Sequence, residues 1–258
     1  MTALALLGGA VVGSTAGAAM HRWPAGGTLS EPRRSACSAC GLVLGPRELV
    51  PVVSWIVQAG RCRGCAARID ARLPVLEASS ALLAVVILSV HGPGGRAALL
   101  TVGAVAALLA AFIDLEHRII PDRLTLPFAA IALTAAPFVA GPGRAAVLLG
   151  WALGVPLALR LLVAAADAAG RARPIGGGDV KLLIGVLALA GLVPSGPPAV
   201  LLVAVIGAGA VAVVGLVTHR ITRTSRIAFA PAIAVGFLVV AAAPEGAAVI
   251  VSWFGGPA

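Results

Sequence analysis

Apolar runs long enough to cross a bilayer follow one another along most of this chain, separated by short stretches that carry Gly, Pro and Arg. A helix needs about 20 mostly apolar residues to span the hydrocarbon layer. By that measure the pattern predicts spans near residues 3–20, 74–90, 97–113, 124–140, 145–166, 180–193, 197–217 and 229–252, the sixth of them short. Only 21–73 is both long and polar. The expected architecture is an all-α polytopic membrane protein of about eight transmembrane helices, with a small polar domain inserted between helices one and two. The expected parts are a first helix over 1–20, the polar domain over 21–73 and a larger membrane domain over 74–258.

Composition sharpens this picture. Hydrophobic residues make up 60% of the chain and charged residues 11%, with a mean hydropathy of +1.04. A soluble domain could not display such a surface without aggregating. The first run lacks the basic segment that opens a secretory signal, and its arginines follow it, so it reads as a retained span.

The net charge of +9 acts mainly as an orientation signal. Arginine and lysine in short loops resist export. Sixteen of the 19 basic residues fall on one side: Arg22, Arg33, Arg34, Arg47, Arg61, Arg63, Arg68 and Arg72 after helix one, Arg118 and Arg123 after helix three, Arg171, Arg173 and Lys181 after helix five, and Arg220, Arg223 and Arg226 after helix seven. Arg96 and Arg144 lie opposite, and Arg160 is inside a span. Both termini are expected outside and the 21–73 loop in the cytosol. No nucleic-acid partner is implied by this basicity; the implied surroundings are membrane lipid.

All four cysteines lie in that loop, as two Cys-x-x-Cys pairs, Cys37 with Cys40 and Cys62 with Cys65. Two such turns present four sulfurs to one tetrahedral metal, which points to structural zinc with no open coordination position. A disulfide pairing is the rival reading, and a cytosolic placement disfavours it. The metal would fold a loop that has little apolar core of its own.

Acidic residues number only 10, and a carboxylate near lipid is costly. Asp114 closes the third span and Asp179 opens the sixth after Gly176, Gly177 and Gly178. Those two spans run in opposite directions, so the two acids can meet at one membrane depth on the cytosolic side. A carboxylate pair that shares a proton provides base and acid for peptide hydrolysis. The three glycines offer room for a peptide or a helix to approach, and Lys181 with the helix N-terminus would favour an ionised Asp179. Asp122 and Glu116 are rival acids, read instead as a helix-start residue and a loop charge. Glu77 lies inside the second span, either as a paired carboxylate or as a ligand contact.

Taken together, these motifs resemble the type IV prepilin peptidases, intramembrane aspartic proteases with a Gly-x-Gly-Asp motif. The resemblance runs from Gly13 and Ser14 through Arg22 to Pro24, the two cysteine pairs, Pro51 to Trp55, Pro74 to Glu77 and Ile113 to Asp122, and ends at Gly176 to Leu182. It implies that Asp114 and Asp179 are the catalytic pair and that Cys37, Cys40, Cys62 and Cys65 bind zinc. It further implies substrates that are prepilins or pseudopilins, cut on the cytosolic face of the bacterial cytoplasmic membrane. Many members also methylate the new N-terminus with S-adenosylmethionine. Leu73, Leu49 and Ser38 depart from the family pattern, all within the region tied to methylation. A transporter or an assembly scaffold with a metal-binding loop is the alternative; it would place charges near mid-membrane, where only Arg160 lies.

Overall fold

The computed structural model describes residues 2–30, 34–171, 173, 175–218 and 228–254. Four of the basic residues used above, Arg33, Arg220, Arg223 and Arg226, lie outside these. Among the described residues the chain is helical, apart from loops and two isolated β-bridges. It divides into two compact units, Met1–Ser89 and Val90–Ala258.

The first unit is built on α1 (Thr2–Arg22), a loop carrying a short 3-10 turn (Pro46–Leu49) and α2 (Val53–Val57), and most of α3 (Arg72–His91). Gly9, Gly13 and Gly17 recur every fourth residue along one face of α1. A Cβ at these positions would lie 2.6 Å from the Ser80 carbonyl, 2.8 Å from Glu77 Cα and 2.7 Å from Leu73 Cδ2. The two backbones therefore touch, which is how small residues at every fourth position join helices in lipid, where burial of apolar side chains gives no driving force. At the loop end of these spans, Asp70 accepts from Arg72 at 2.7 Å and lies 3.5 Å from His21 Nε2.

In the second unit α4 (Gly95–His117), α5 (Asp122–Ala140), α6 (Pro142–Ala168), α7 (Gly177–Ala190), α8 (Gly196–Val217), α9 (Ala230–Ala242) and α10 (Pro244–Trp253) follow in order. The helix α7 packs against α4, α5, α6, α8 and α9, and Leu182, Leu183, Val186, Leu187 and Leu189 are all fully buried. A helix that is apolar all round belongs in an interior. Its 14 residues rise only about 21 Å, less than a bilayer core.

Among the described residues, α1, α3, α4, α5, α6 and α8 are long and apolar enough to cross a membrane. The single span expected over 229–252 is instead a pair, α9 and α10, bent by 116°. Pro244 explains the break: it has no N–H to donate and its ring clashes with the preceding turn, so the helix stops at Ala242 and a new one starts. On the last turn of α9, the Ala241 carbonyl lies 2.8 Å from His91 Nε2.

Candidate active site and metal centre

Asp114 sits one turn before the end of α4. Arg118, in the left-handed region at φ 55°, closes that helix by donating its N–H to the Asp114 carbonyl at 3.0 Å. The side chain turns inward and is 6% exposed. Its Oδ2 accepts a hydrogen bond of 3.2 Å from the N–H of Ala230, the first residue of α9. The first amides of a helix have no partner within it, so α9 offers Asp114 a donor that the fold leaves free. Sequence reasoning missed this contact, although Pro231, at a position proline favours just inside a helix start, marks where such amides emerge.

Asp179 is the third residue of α7, which packs directly on α4. The helices that carry Asp114 and Asp179 thus meet, α4 against α7. Asp179 Oδ1 is buried and has no hydrogen-bond partner among the described residues. A buried carboxyl oxygen left open in this way is a place for a water, a proton or a substrate atom.

The three glycines divide their work. A Cβ on Gly176 would lie 2.7 Å from Asp179 Oδ2, and one on Gly178 would lie 3.0 Å from Ile120 Cβ in the α4–α5 turn; only Gly177 faces open space. The expected room for an incoming peptide is thus filled at two of the three positions by the chain's own carboxyl group and turn. The expected influence of Lys181 on Asp179 is also corrected: its ammonium pairs with Asp122 at the start of α5. That pair ties α7 to α5 and gives Asp122 a structural partner. Glu116 is exposed and lies 3.4 Å from His117 Nε2.

Glu77 accepts from the Val52 N–H at 2.7 Å, so it is a paired carboxylate. Val52 itself holds φ 61°, an outlier for a β-branched residue, and the Glu77 bond helps to fix it there.

The four cysteines come together, their sulfurs all within 4.8 Å of one another. Cys37 Sγ to Cys65 Sγ and Cys40 Sγ to Cys62 Sγ are each 3.9 Å. A tetrahedron with metal–sulfur bonds of about 2.3 Å has edges of about 3.8 Å, so the donor set fits zinc in size and softness. Disulfides would need sulfurs about 2 Å apart, and all four thiols are free. Two knuckles of matching build carry them, closed by the bridges Ala36 to Val43 and Arg61 to Arg68. The amides of Cys40 and Ala39 push the Cys37 thiol down to about 6. Although the Ala67 amide favours its thiolate, crowding by the Cys40 sulfur, burial, and the Cys62 and Cys37 sulfurs push Cys65 up to about 11. One cation at the centre would relieve that crowding.

Residues 7–91 match the bacterial peptidase A24 N-terminal domain and residues 101–215 match the type IV leader peptidase family. A protein of Bacillus subtilis (strain 168) named prepilin leader peptidase/N-methyltransferase is 33% identical over 245 residues, 93% of each chain. A Burkholderia pseudomallei (strain 1026b) protein of the same name is 36% identical over 204 residues, 79% of this chain and 65% of that one. One from Aeromonas salmonicida (strain A449) is 45% identical over 96 residues, 36% of this chain and 32% of its own length. The match thus spans less than two thirds of the Burkholderia relative. No solved structure matches.

Proposed function

This chain belongs to the type IV leader peptidase family, and from that membership we propose that it removes the leader peptides of type IV prepilins or pseudopilins by aspartic-protease chemistry. The observation that carries the reading is the packing of α7 on α4, which bear Asp179 and Asp114, with one buried oxygen of Asp179 left unpartnered. Two carboxyl groups brought together at this helix contact would disfavour the doubly ionised state and share one proton. The ionised member takes a proton from a water as that water attacks the scissile carbonyl. The protonated member donates to the carbonyl oxygen; as the C–N bond breaks, the proton taken from water passes to the leaving amine and the proton on the carbonyl oxygen returns to its donor as C=O re-forms. The pairing of Asp122 with Lys181 supports a structural part for Asp122 in this scheme.

The clustering of arginines in alternate loops supports a cytosolic site in a bacterial cytoplasmic membrane, with both termini outside. Cys37, Cys40, Cys62 and Cys65 would hold zinc, whose part is to fold the loop. Methyl transfer to the new N-terminal amine is the proposed second activity, in line with the relatives' names. A cleft of about 470 Å³ lined by residues including Trp55, Gly60, Arg61, Arg68 and Asp70 has the size of a small-molecule site. S-adenosylmethionine would supply the methyl group, and we assign it to this open cleft on the strength of Trp55 for a purine and Arg61 and Arg68 for a carboxylate.

The test is to incubate purified protein in nanodiscs with a prepilin and S-adenosylmethionine and to weigh the product. Asp114→Asn and Asp179→Asn should each lower cleavage by about 10²-fold or more, the usual cost of losing a general acid or base, while still inserting in the membrane. Full processing by both variants would overturn the assignment.

A further inference from the structure

The loop between α1 and α3 carries an apolar surface that its own fold leaves bare. Leu49, Val50, Val53, Ile56 and Val57 are 46, 44, 54, 64 and 79% exposed. Within α2 the three last named stand at i, i+3 and i+4, which is one side of a helix. On the other side Trp55 turns inward, its ring packed over Gly60 and its Nε1 donating to the Ile69 carbonyl at 3.3 Å. A metal-folded loop that tucks in its tryptophan while presenting three β-branched side chains has a surface shaped for an apolar environment.

A hydrogen bond to α3 ties the start of this surface to the span. The Val52 N–H, at the N-cap of α2, donates to Glu77 Oε2 at 2.7 Å. Glu77 lies five residues into α3, about 7–8 Å along its axis from Arg72. Arg72, Asp70 and His21 form the polar cluster that marks where α1 and α3 leave the apolar layer. The start of α2 is therefore held against the first turns of α3, beside that cluster. Arg47, Arg61 and Arg63 are exposed on the same small loop domain, as expected for a body resting on anionic headgroups.

We propose that α2 is an interfacial anchor: Val53, Ile56 and Val57 insert into the cytosolic leaflet, and the occupant of this apolar face is lipid. Short amphipathic segments bind at this depth through their apolar side while basic groups meet the headgroups. The consequence is that the four-cysteine domain rides on the membrane surface at a set height, held by Glu77 on one side and by lipid on the other.

The full-length protein in nanodiscs, carrying an environment-sensitive fluorescent amino acid at Val57 and, in a second preparation, at Ile56, tests this. Zinc content of each preparation verifies that the loop is folded. Lipids brominated high on the acyl chain should quench both probes about twofold or more relative to unbrominated lipid, and both should be shielded from aqueous iodide. Probes that iodide reaches and brominated lipid does not would overturn the proposal, because the face would then be in water. Probes shielded from both quenchers would overturn it too, because protein would then be the occupant.

Discussion

The N–H of Ala230 donates to Oδ2 of Asp114 at 3.2 Å, joining residues 116 positions apart in the chain. The contact joins the start of α9 to the end of α4, and it leaves the Asp114 carboxyl group with one oxygen committed and its orientation set. Replacing the Ala230 amide by an ester, with lactic acid inserted at that position, removes this donor without changing shape. A hydrogen bond to a charged group contributes about 1.5–3 kcal/mol, so turnover should fall by roughly tenfold or more with KM little changed. The same ester at Ala247, in α10, should leave turnover intact; equal losses at both sites would mean that the amide has no special part.

Gly176 and Gly177 give a sharper contrast, since they are neighbours with opposite surroundings. A methyl group at Gly176 would lie 2.7 Å from Asp179 Oδ2, whereas one at Gly177 meets nothing within 4 Å. Gly176 has an ordinary extended backbone at φ −71°, so alanine there is resisted by the carboxyl group alone. Gly176→Ala should displace Asp179 and lower prepilin cleavage by about 10²-fold, the scale of a 1 Å misplacement. Gly177→Ala should cleave at near wild-type rates in the same mass-spectrometric assay.

Asp122→Asn separates the structural acid from the proposed catalytic pair. Its partner Lys181 is 28% exposed and Asp122 itself 56%, and an ion pair so open to solvent contributes less than about 1 kcal/mol. Cleavage should persist, with a thermal midpoint lowered by no more than a few degrees. Loss as deep as that of Asp114→Asn would make Asp122 a member of the site.

How much of this was legible in the chain depends on the range of the interaction. Span positions were readable because each is a local run of apolar residues, and the metal site because Cys37, Cys40, Cys62 and Cys65 are paired at three-residue spacing. The break at Pro244 had a local signal too, which the length of the surrounding apolar run concealed. The partner of Lys181 was not legible: Asp179 is two residues away in sequence, yet one helical turn holds 3.6 residues and directs the two side chains apart, while Asp122 arrives from another helix. The Ala230 amide was only half hidden: Pro231 marks a helix start, but nothing local says which side chain its free amides meet. The Gly9, Gly13 and Gly17 ladder was written in the sequence at helical spacing, but what it packs against follows only from the placement of α3.

Acid should release the metal in a defined range. Amides of Cys40 and Ala39 lower the Cys37 thiol from 9.0 to about 6. A group whose folded value is depressed contributes its charge above that value and loses it as pH falls through it, and bound zinc extends the range further down. Protein equilibrated at descending pH and assayed for retained zinc should hold it at neutrality and lose it only below about pH 6. Release beginning well above that pH would show that Cys37 does not set the range, Cys65 being pushed up to about 11 without the cation.

The two knuckles differ at one backbone position, and the difference is testable. In the first, Gly41 follows Cys40 at φ 73°; in the second, Ala66 follows Cys65 at φ 57°. Both residues reach back to the first cysteine of their own turn, Gly41 N–H to the Cys37 carbonyl at 2.9 Å and Ala66 N–H to the Cys62 carbonyl at 2.8 Å. The turn therefore demands the left-handed region, which costs a residue with a Cβ about 1 kcal/mol relative to glycine. Ala66→Gly should relieve that cost and Gly41→Ala should impose it. Each change is expected to move zinc retention about fivefold in a chelator competition, tighter for Ala66→Gly and weaker for Gly41→Ala. The larger unfolded-state freedom of glycine opposes part of the first gain, so the Gly41→Ala loss should be the more clearly resolved of the two. Chelator resistance unchanged in both variants would mean that the αL residues do not govern the stability of the metal-bound loop.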